Sequence, residues 1–191
     1  MARSDADRWN ARYAEQEETD SEPIPFLVDR AEGLGSGKAL VLAAGTGRNA
    51  VYLAGQGFDV TALDVSSVGL EKCRRLADDR GVRIQTLCAD LEAFDLGESE
   101  YNLITKIYFY QPSLFPSIRR ALKPGGRFFF QTFSRKHAEV GTFGPKNPDY
   151  LAHQAAVIEP FTDDRIRYYE ETVEETDADR EATIRMIAER R

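Results

Sequence analysis

The chain has 191 residues, with 25 Lys and Arg against 32 Asp and Glu, a formal charge of −7, and 42% hydrophobic residues. That length is enough for one ordinary core without disulfide or metal staples, and Cys73, Cys88, His137 and His153 are too few and too scattered for a zinc cage or a disulfide framework. The acidic balance without a basic block argues against a nucleic-acid partner, and no stretch nears the run of about 18 apolar residues that crosses a bilayer, so a soluble, cytoplasmic protein without metal is expected.

Residues 1–22 are polar and acidic, yet Trp9, Arg12, Tyr13 and Gln16 recur at helical steps. A lid or docking helix is expected there, ahead of one domain over 23–191, because Pro23 and Pro25 break the pattern. Ile24–Glu32 reads as a short helix ended by glycines. Ala39–Ala43 is an unbroken apolar run, as in a strand buried on both faces of a parallel sheet.

Gly45 and Gly47 then lead into a helix over Arg48–Gln56. Phe58–Leu63 supplies a second strand that stops at Asp64, with Ser66 and Ser67 as helix caps for Leu70–Arg80. Val82–Leu87 is the third strand and Tyr101–Ile107 the fourth. Ser113–Leu122 reads as a helix, Lys123–Gly126 as a turn and Arg127–Phe133 as the fifth strand. His137–Asn147 has no period, and Tyr150–Val157 is weakly helical.

Two alternating runs, Arg165–Val173 and Ala182–Arg190, close the chain as a hairpin. Strands alternating with helices predict an α/β fold: a doubly wound, Rossmann-like seven-stranded sheet, mostly parallel with a C-terminal antiparallel hairpin.

Gly45-Thr46-Gly47-Arg48-Asn49-Ala50 is a GxGxxA turn between a strand and a helix, where glycines let backbone approach a nucleotide. Asp64, at the tip of the next strand, is placed to accept from ribose hydroxyls. Asp90 and Leu91, after the third strand, can meet an adenine amino group and ring. The plainer alternatives are a tight turn for the glycines and helix caps for Asp64 and Asp90. A dinucleotide brings a pyrophosphate, whereas S-adenosylmethionine brings a sulfonium and no phosphate.

These residues, with Cys88-Ala89-Asp90-Leu91, Lys123-Pro124-Gly125-Gly126 before a strand and the closing hairpin, resemble the class I S-adenosylmethionine-dependent methyltransferases. Trp9-Asn10-Ala11-Arg12-Tyr13, Asn147-Pro148-Asp149-Tyr150-Leu151 and Tyr168-Tyr169-Glu170-Glu171 are similar to the tellurite-resistance-type small-molecule methyltransferases. The resemblance implies that backbone at Ala43, Gly45 and Gly47 faces the methionine end of S-adenosylmethionine and that Asp64 takes the ribose. It further implies that Val65 and Leu91 flank adenine, that Asp90 takes the adenine amino group, and that backbone at Lys106 and Ile107 meets the amino-acid moiety. The chain departs from the family pattern at Val41 and Ala43, where an acidic residue and then a glycine are usual.

In-line methyl transfer is driven by proximity and exclusion of water, leaving S-adenosylhomocysteine. No carboxylate–histidine pair announces a general base. Tyr108 and Tyr110, beyond the fourth strand, line an acceptor pocket or pack in the core. Tyr13 covers the cofactor or packs on the sheet edge, and His137 lies in a pocket loop or at the surface. The family comparison links an Asn/Asp-Pro-Pro-aromatic sequence to methylation of nucleobase or glutamine amide nitrogens; Lys106–Pro112 stands in its place here, so the resemblance implies a small-molecule acceptor instead. The alternatives are a nucleotide-binding module without transfer and, less in keeping with the motifs, a nicotinamide oxidoreductase.

Overall fold

The structure is a computed structural model that describes residues 2–16, 21–31, 33–175 and 179–191. Parts of the expected N-terminal segment, the last residue of the expected Ile24–Glu32 helix and the tip of the closing hairpin lie outside the described residues. The elements in chain order are α1 (Ala2–Glu15), α2 (Pro25–Asp29), β1 (Gly37–Leu42), α3 (Arg48–Gly55), β2 (Phe58–Asp64), α4 (Ser67–Asp79) and β3 (Gln85–Cys88). They continue with β4 (Tyr101–Ile107), α5 (Phe115–Ala121), β5 (Leu122–Phe133), α6 (His137–Val140), α7 (Gln154–Ile158), β6 (Arg165–Glu175) and β7 (Arg180–Glu189).

The seven strands form one sheet in the order β3-β2-β1-β4-β5-β7-β6. β1, β2 and β3 run parallel, and β7 runs antiparallel to both β5 and β6. The apolar run in β1 is buried throughout, Ala39 to Leu42 being at most 3% exposed, which is what a strand covered on both faces requires. By contact density the chain divides into two compact units, Met1–Asp95 with Tyr101–Thr105, and Leu96–Glu100 with Lys106–Arg191.

In the first unit, α4 begins at the cap the sequence predicts: Ser66 Oγ accepts from the Gly69 N–H at 3.0 Å. The third strand is shorter than the expected Val82–Leu87. Gly81 has φ +65°, and the Val82 N–H donates to the Ala77 carbonyl at 3.0 Å. Those residues close the C-terminus of α4 and leave only Gln85–Cys88 for pairing. The helix expected over Ile24–Glu32 is one short turn, Pro25–Asp29, with proline in its first turn.

In the second unit, the helix expected over Ser113–Leu122 is split into a 3₁₀ turn, Pro112–Leu114, and α5. The Lys123–Gly126 turn is also the start of β5. Gly125 takes φ +77° and donates to the Arg190 carbonyl at 2.8 Å, while the Arg190 N–H returns a bond to Gly126 at 2.9 Å. The core here is aromatic: Phe115 meets Phe128, Phe130 and Phe161 edge-on at 5.4–6.0 Å between ring centres. His137–Val140, read as aperiodic, forms the single-turn α6, and the weakly helical Tyr150–Val157 resolves into a 3₁₀ turn and α7.

Candidate functional site

The end of β1 turns through Ala43 and the two glycines with left-handed backbone at each: φ is +52° at Ala43, +55° at Gly45 and +93° at Gly47. Glycine adopts this freely; alanine pays for its β-carbon with about 1–2 kcal/mol. Gly47 is required for packing as well, since a β-carbon there would collide with the Cys73 side chain of α4. That burial pushes the Cys73 thiol up to about 12, so it is a packing group rather than a nucleophile.

Asp64 ends β2 beside this turn and is 6% exposed. Its Oδ2 accepts from the Gly45 N–H and its Oδ1 from the Ser66 N–H, both at 2.8 Å. Burial raises the carboxyl above its ordinary range, and the backbone donors at Ser66, Gly45 and Val65 oppose that shift. An ionised carboxylate has about four acceptor sites, so each oxygen keeps capacity for a further donor such as a ribose hydroxyl.

α1 is docked on this turn. Asn10 Oδ1 accepts from Ser66 Oγ at 2.7 Å and from the Val68 N–H at 3.2 Å, fastening the helix to the start of α4. Trp9 and Tyr13 stack at 5.5 Å, and Arg12 lies 5.1 Å over the Trp9 ring. A β-carbon on Gly45 would come within 2.7 Å of the Tyr13 hydroxyl, and one on Gly69 within 3.0 Å of the Tyr13 ring. Tyr13 thus lies against the glycine turn itself. Its phenol is pushed well above its ordinary value by burial, and the Asp64 charge adds to the rise.

Asn10 enters the sequence reading only as part of the Trp9–Tyr13 motif, and its fastening role was missed, because an asparagine on a polar helix carries no periodic signal. Asn49 is another: its Oδ1 accepts from the Ile24 N–H at 3.1 Å and ties the segment before α2 to α3.

Val65 is half-buried and Leu91 is 7% exposed. Asp90 Oδ1 accepts from the Glu92 N–H at 2.9 Å, a local turn bond that leaves its second oxygen for another donor. Cys88, exposed, places its thiol 3.6 Å from the Val65 carbonyl.

In the second unit, Lys106 is fully buried although its backbone was the part of interest in the sequence. Its ammonium lies 4.6 Å from the Phe115 ring centre, 5.3 Å from Phe109, 5.4 Å from Phe130 and 5.9 Å from Tyr110. It donates to the Gln111 carbonyl at 3.1 Å. Burial pulls this lysine down to about 7, while the ring faces partly replace lost hydration. Tyr110 is therefore part of an aromatic cage around an amine, and Ile107, 8% exposed, ends β4 beside it.

His137, expected in a loop pocket or at the surface, is fully buried. Its Nδ1 accepts from the Ala182 N–H at 3.2 Å, so Nε2 carries the proton and donates to the Phe143 carbonyl at 2.6 Å. Both nitrogens are engaged in holding the 137–144 segment to β7. Tyr108 takes φ +52°, and its hydroxyl meets Glu181 and Gln131, partners that the sequence did not single out. Among the described residues no group of three or more side chains could hold a metal ion, and no helix is long and apolar enough to cross a membrane.

Alongside this sheet order, glycine turn and carboxylate at the tip of β2, residues 39–126 match the model of a methyltransferase domain family. The chain is 31% identical over 118 residues to a ubiquinone biosynthesis O-methyltransferase of Pectobacterium atrosepticum, covering 59% of this chain and 49% of that protein. It spans about half the length of the curated relatives it matches. TehB from Haemophilus influenzae has the same fold, with a TM-score of 0.76 at 21% identity over 96% of this chain and 67% of that one. So has a protein solved in a study of the conversion of a disulfide bond into a thioacetal group during echinomycin biosynthesis, at TM-score 0.75, 21% identity, and 97% and 91% coverage.

Proposed function

We propose that this chain transfers the methyl group of S-adenosylmethionine to a small molecule, as a cytoplasmic enzyme that acts on neither nucleic acid nor membrane. The observation that carries the reading is the Asp64 carboxylate, buried at the tip of β2 and bound to the Gly45 N–H at 2.8 Å. A carboxylate and a close-approach backbone suit a ribose and a sulfonium; neither offers a cation to a pyrophosphate. The family match over 39–126 favours the same reading over a nicotinamide oxidoreductase, and the relatives named as ubiquinone biosynthesis O-methyltransferases support a small acceptor.

The bound cofactor supplies an electrophilic methyl on a cationic sulfur. The chain supplies position and dryness. Asp64 would hold the ribose and, through Gly45, fix the turn against it. Val65 and Leu91 would lie along the adenine and Asp90 would accept its amino group, while backbone at Ala43, Gly45 and Gly47, and at Lys106 and Ile107, would meet the methionine part. Tyr13 would cover the turn and exclude water, which raises the effective concentration of the acceptor and strengthens every charge interaction inside.

Isothermal calorimetry with S-adenosylmethionine and S-adenosylhomocysteine tests this directly. Micromolar binding of both is expected, with no NADH binding by fluorescence titration. Absence of either adenosyl ligand at millimolar concentration removes the transferase reading, and binding without turnover of any acceptor leaves a binding module.

A further inference from the structure

The chain has two histidines. His153 is exposed, whereas His137, at the start of α6, has no exposed surface. Phe133 of β5 lies 4.3 Å from the His137 ring between centres, and Phe143 meets it edge-on at 5.8 Å. A β-carbon on Gly141 would overlap the imidazole, and one on Gly144, at φ +72°, would come within 3.2 Å of Nε2. The segment after α6 is thus wrapped around the ring as closely as glycine allows.

Both ring nitrogens are in use, Nδ1 accepting from the Ala182 N–H of β7 and Nε2–H donating to the Phe143 carbonyl. This requires the neutral ring. The other bonds of the strap 137–146 to β7 lie at the surface: Thr142 and Arg180 exchange two, at 3.0 and 2.9 Å. Lys146 Nζ donates to the His137 and Gly141 carbonyls, which closes the strap on itself without tying it to the strand. A second proton on the ring can only go to Nδ1, where it faces the Ala182 N–H, donor against donor. The buried bond is lost, and a charge is left among aromatic rings.

We propose that His137 is a proton-operated latch: the neutral ring fastens the strap 137–146 to β7, and uptake of a proton from solvent releases it. The latch lies wholly within the second compact unit and does not depend on the methyl-transfer reading. A solvated imidazole takes up its second proton near about pH 6.5. The open strap can accept that proton and the closed strap cannot, so opening binds one proton. The latch therefore holds fully above that range and is lost as the pH falls through it.

The charged groups around the ring are otherwise engaged or turned to water. Beside and within α6, Arg135, Lys136 and Glu139 are exposed. On the β7 side, Glu181 accepts from the Tyr108 hydroxyl, which lies 3.0 and 3.1 Å from its two oxygens, Arg180 pairs with Glu175, and Asp179 accepts from Thr142 Oγ1 at 3.2 Å. β5 presents the apolar Phe133. The Lys146 ammonium, 3.2 Å from the His137 carbonyl, stands beside the closed latch as a like charge.

Hydrogen–deuterium exchange read by mass spectrometry tests the latch in the full chain from about pH 5 to about pH 8, with each rate divided by the intrinsic rate at that pH. Opening of a peptide over 137–146 should be constant above about pH 7.5 and should rise by up to about tenfold per unit below about pH 6.5. A peptide over β5 should stay protected throughout, which separates release of the strap from global unfolding. His153→Gln should keep the wild-type profile. His137→Asn retains an acceptor for the Ala182 N–H but takes up no proton, so its opening should not change with pH. The proposal is overturned if the wild-type strap shows a flat profile, if β5 opens together with it, if His153→Gln abolishes the dependence, or if a folded His137→Asn retains it. The wild-type and His153→Gln profiles decide the matter where His137→Asn does not fold.

Discussion

Asp64 Oδ2 and the Gly45 N–H are joined at 2.8 Å across 19 residues of sequence. The bond locks the tip of β2 to the turn after β1, so that the carboxylate and the glycine backbone move as one piece. Asp64→Ala removes that lock and the acceptor proposed for ribose. S-adenosylmethionine affinity is expected to drop at least tenfold, about 1.5 kcal/mol or more for a charged hydrogen bond, while the far-ultraviolet circular dichroism stays unchanged. Unaltered affinity in calorimetry would take Asp64 out of the site.

Ala43 sits at φ +52°, where its β-carbon is strained. Ala43→Gly releases that strain and adds some unfolded-chain entropy, for a net gain of about 1 kcal/mol or less. At this chain length the melting temperature should rise by roughly 2–4 °C per kcal/mol. A lower melting temperature in differential scanning calorimetry would mean that the alanine methyl packs better than its backbone strain costs.

Trp9 is the only tryptophan in the chain and stacks on Tyr13 at 5.5 Å, so its fluorescence reports the docking of α1. Tyr13→Ala should shift its emission to longer wavelength and weaken S-adenosylmethionine binding by about three- to thirtyfold, as the cover over Gly45 is lost. An emission maximum identical to wild type would show that Tyr13 does not hold the helix down.

Lys106, pulled down to about 7 by burial, imposes a signed pH dependence. Above pH 7 the folded lysine is neutral while the unfolded one stays protonated up to about 10.4, so the unfolded state binds more protons and stability rises with pH in that window. The penalty is full below pH 7. Urea unfolding of wild type and Lys106→Met should show the variant's advantage shrinking between pH 7 and pH 9, at up to about 1.4 kcal/mol per unit. An advantage that is constant with pH would show that this amine keeps its proton inside the aromatic cage.

Much of the fold was legible in the sequence because its causes are local. Ala39–Leu42 is apolar at every position and is buried on both faces; Ser66 caps the helix that follows it. The glycines fell where φ is positive, at +55° and +93°. Where neighbours compete for the same backbone, the reading slipped: Val82 serves the end of α4 rather than β3, and Pro116 splits the expected helix after β4.

The sequence by itself determined the strand–turn–helix alternation, the left-handed turn and the carboxylate at the tip of β2, since sterics and periodicity act over a few residues. Only the tertiary structure decided that Tyr13 lies on Gly45, that Lys106 turns its amine among four rings, and that Tyr108 meets Glu181 across 73 residues. Those pairings depend on which strand edges and helix faces come together, and a side chain's polarity says nothing about which distant partner packing will bring to it.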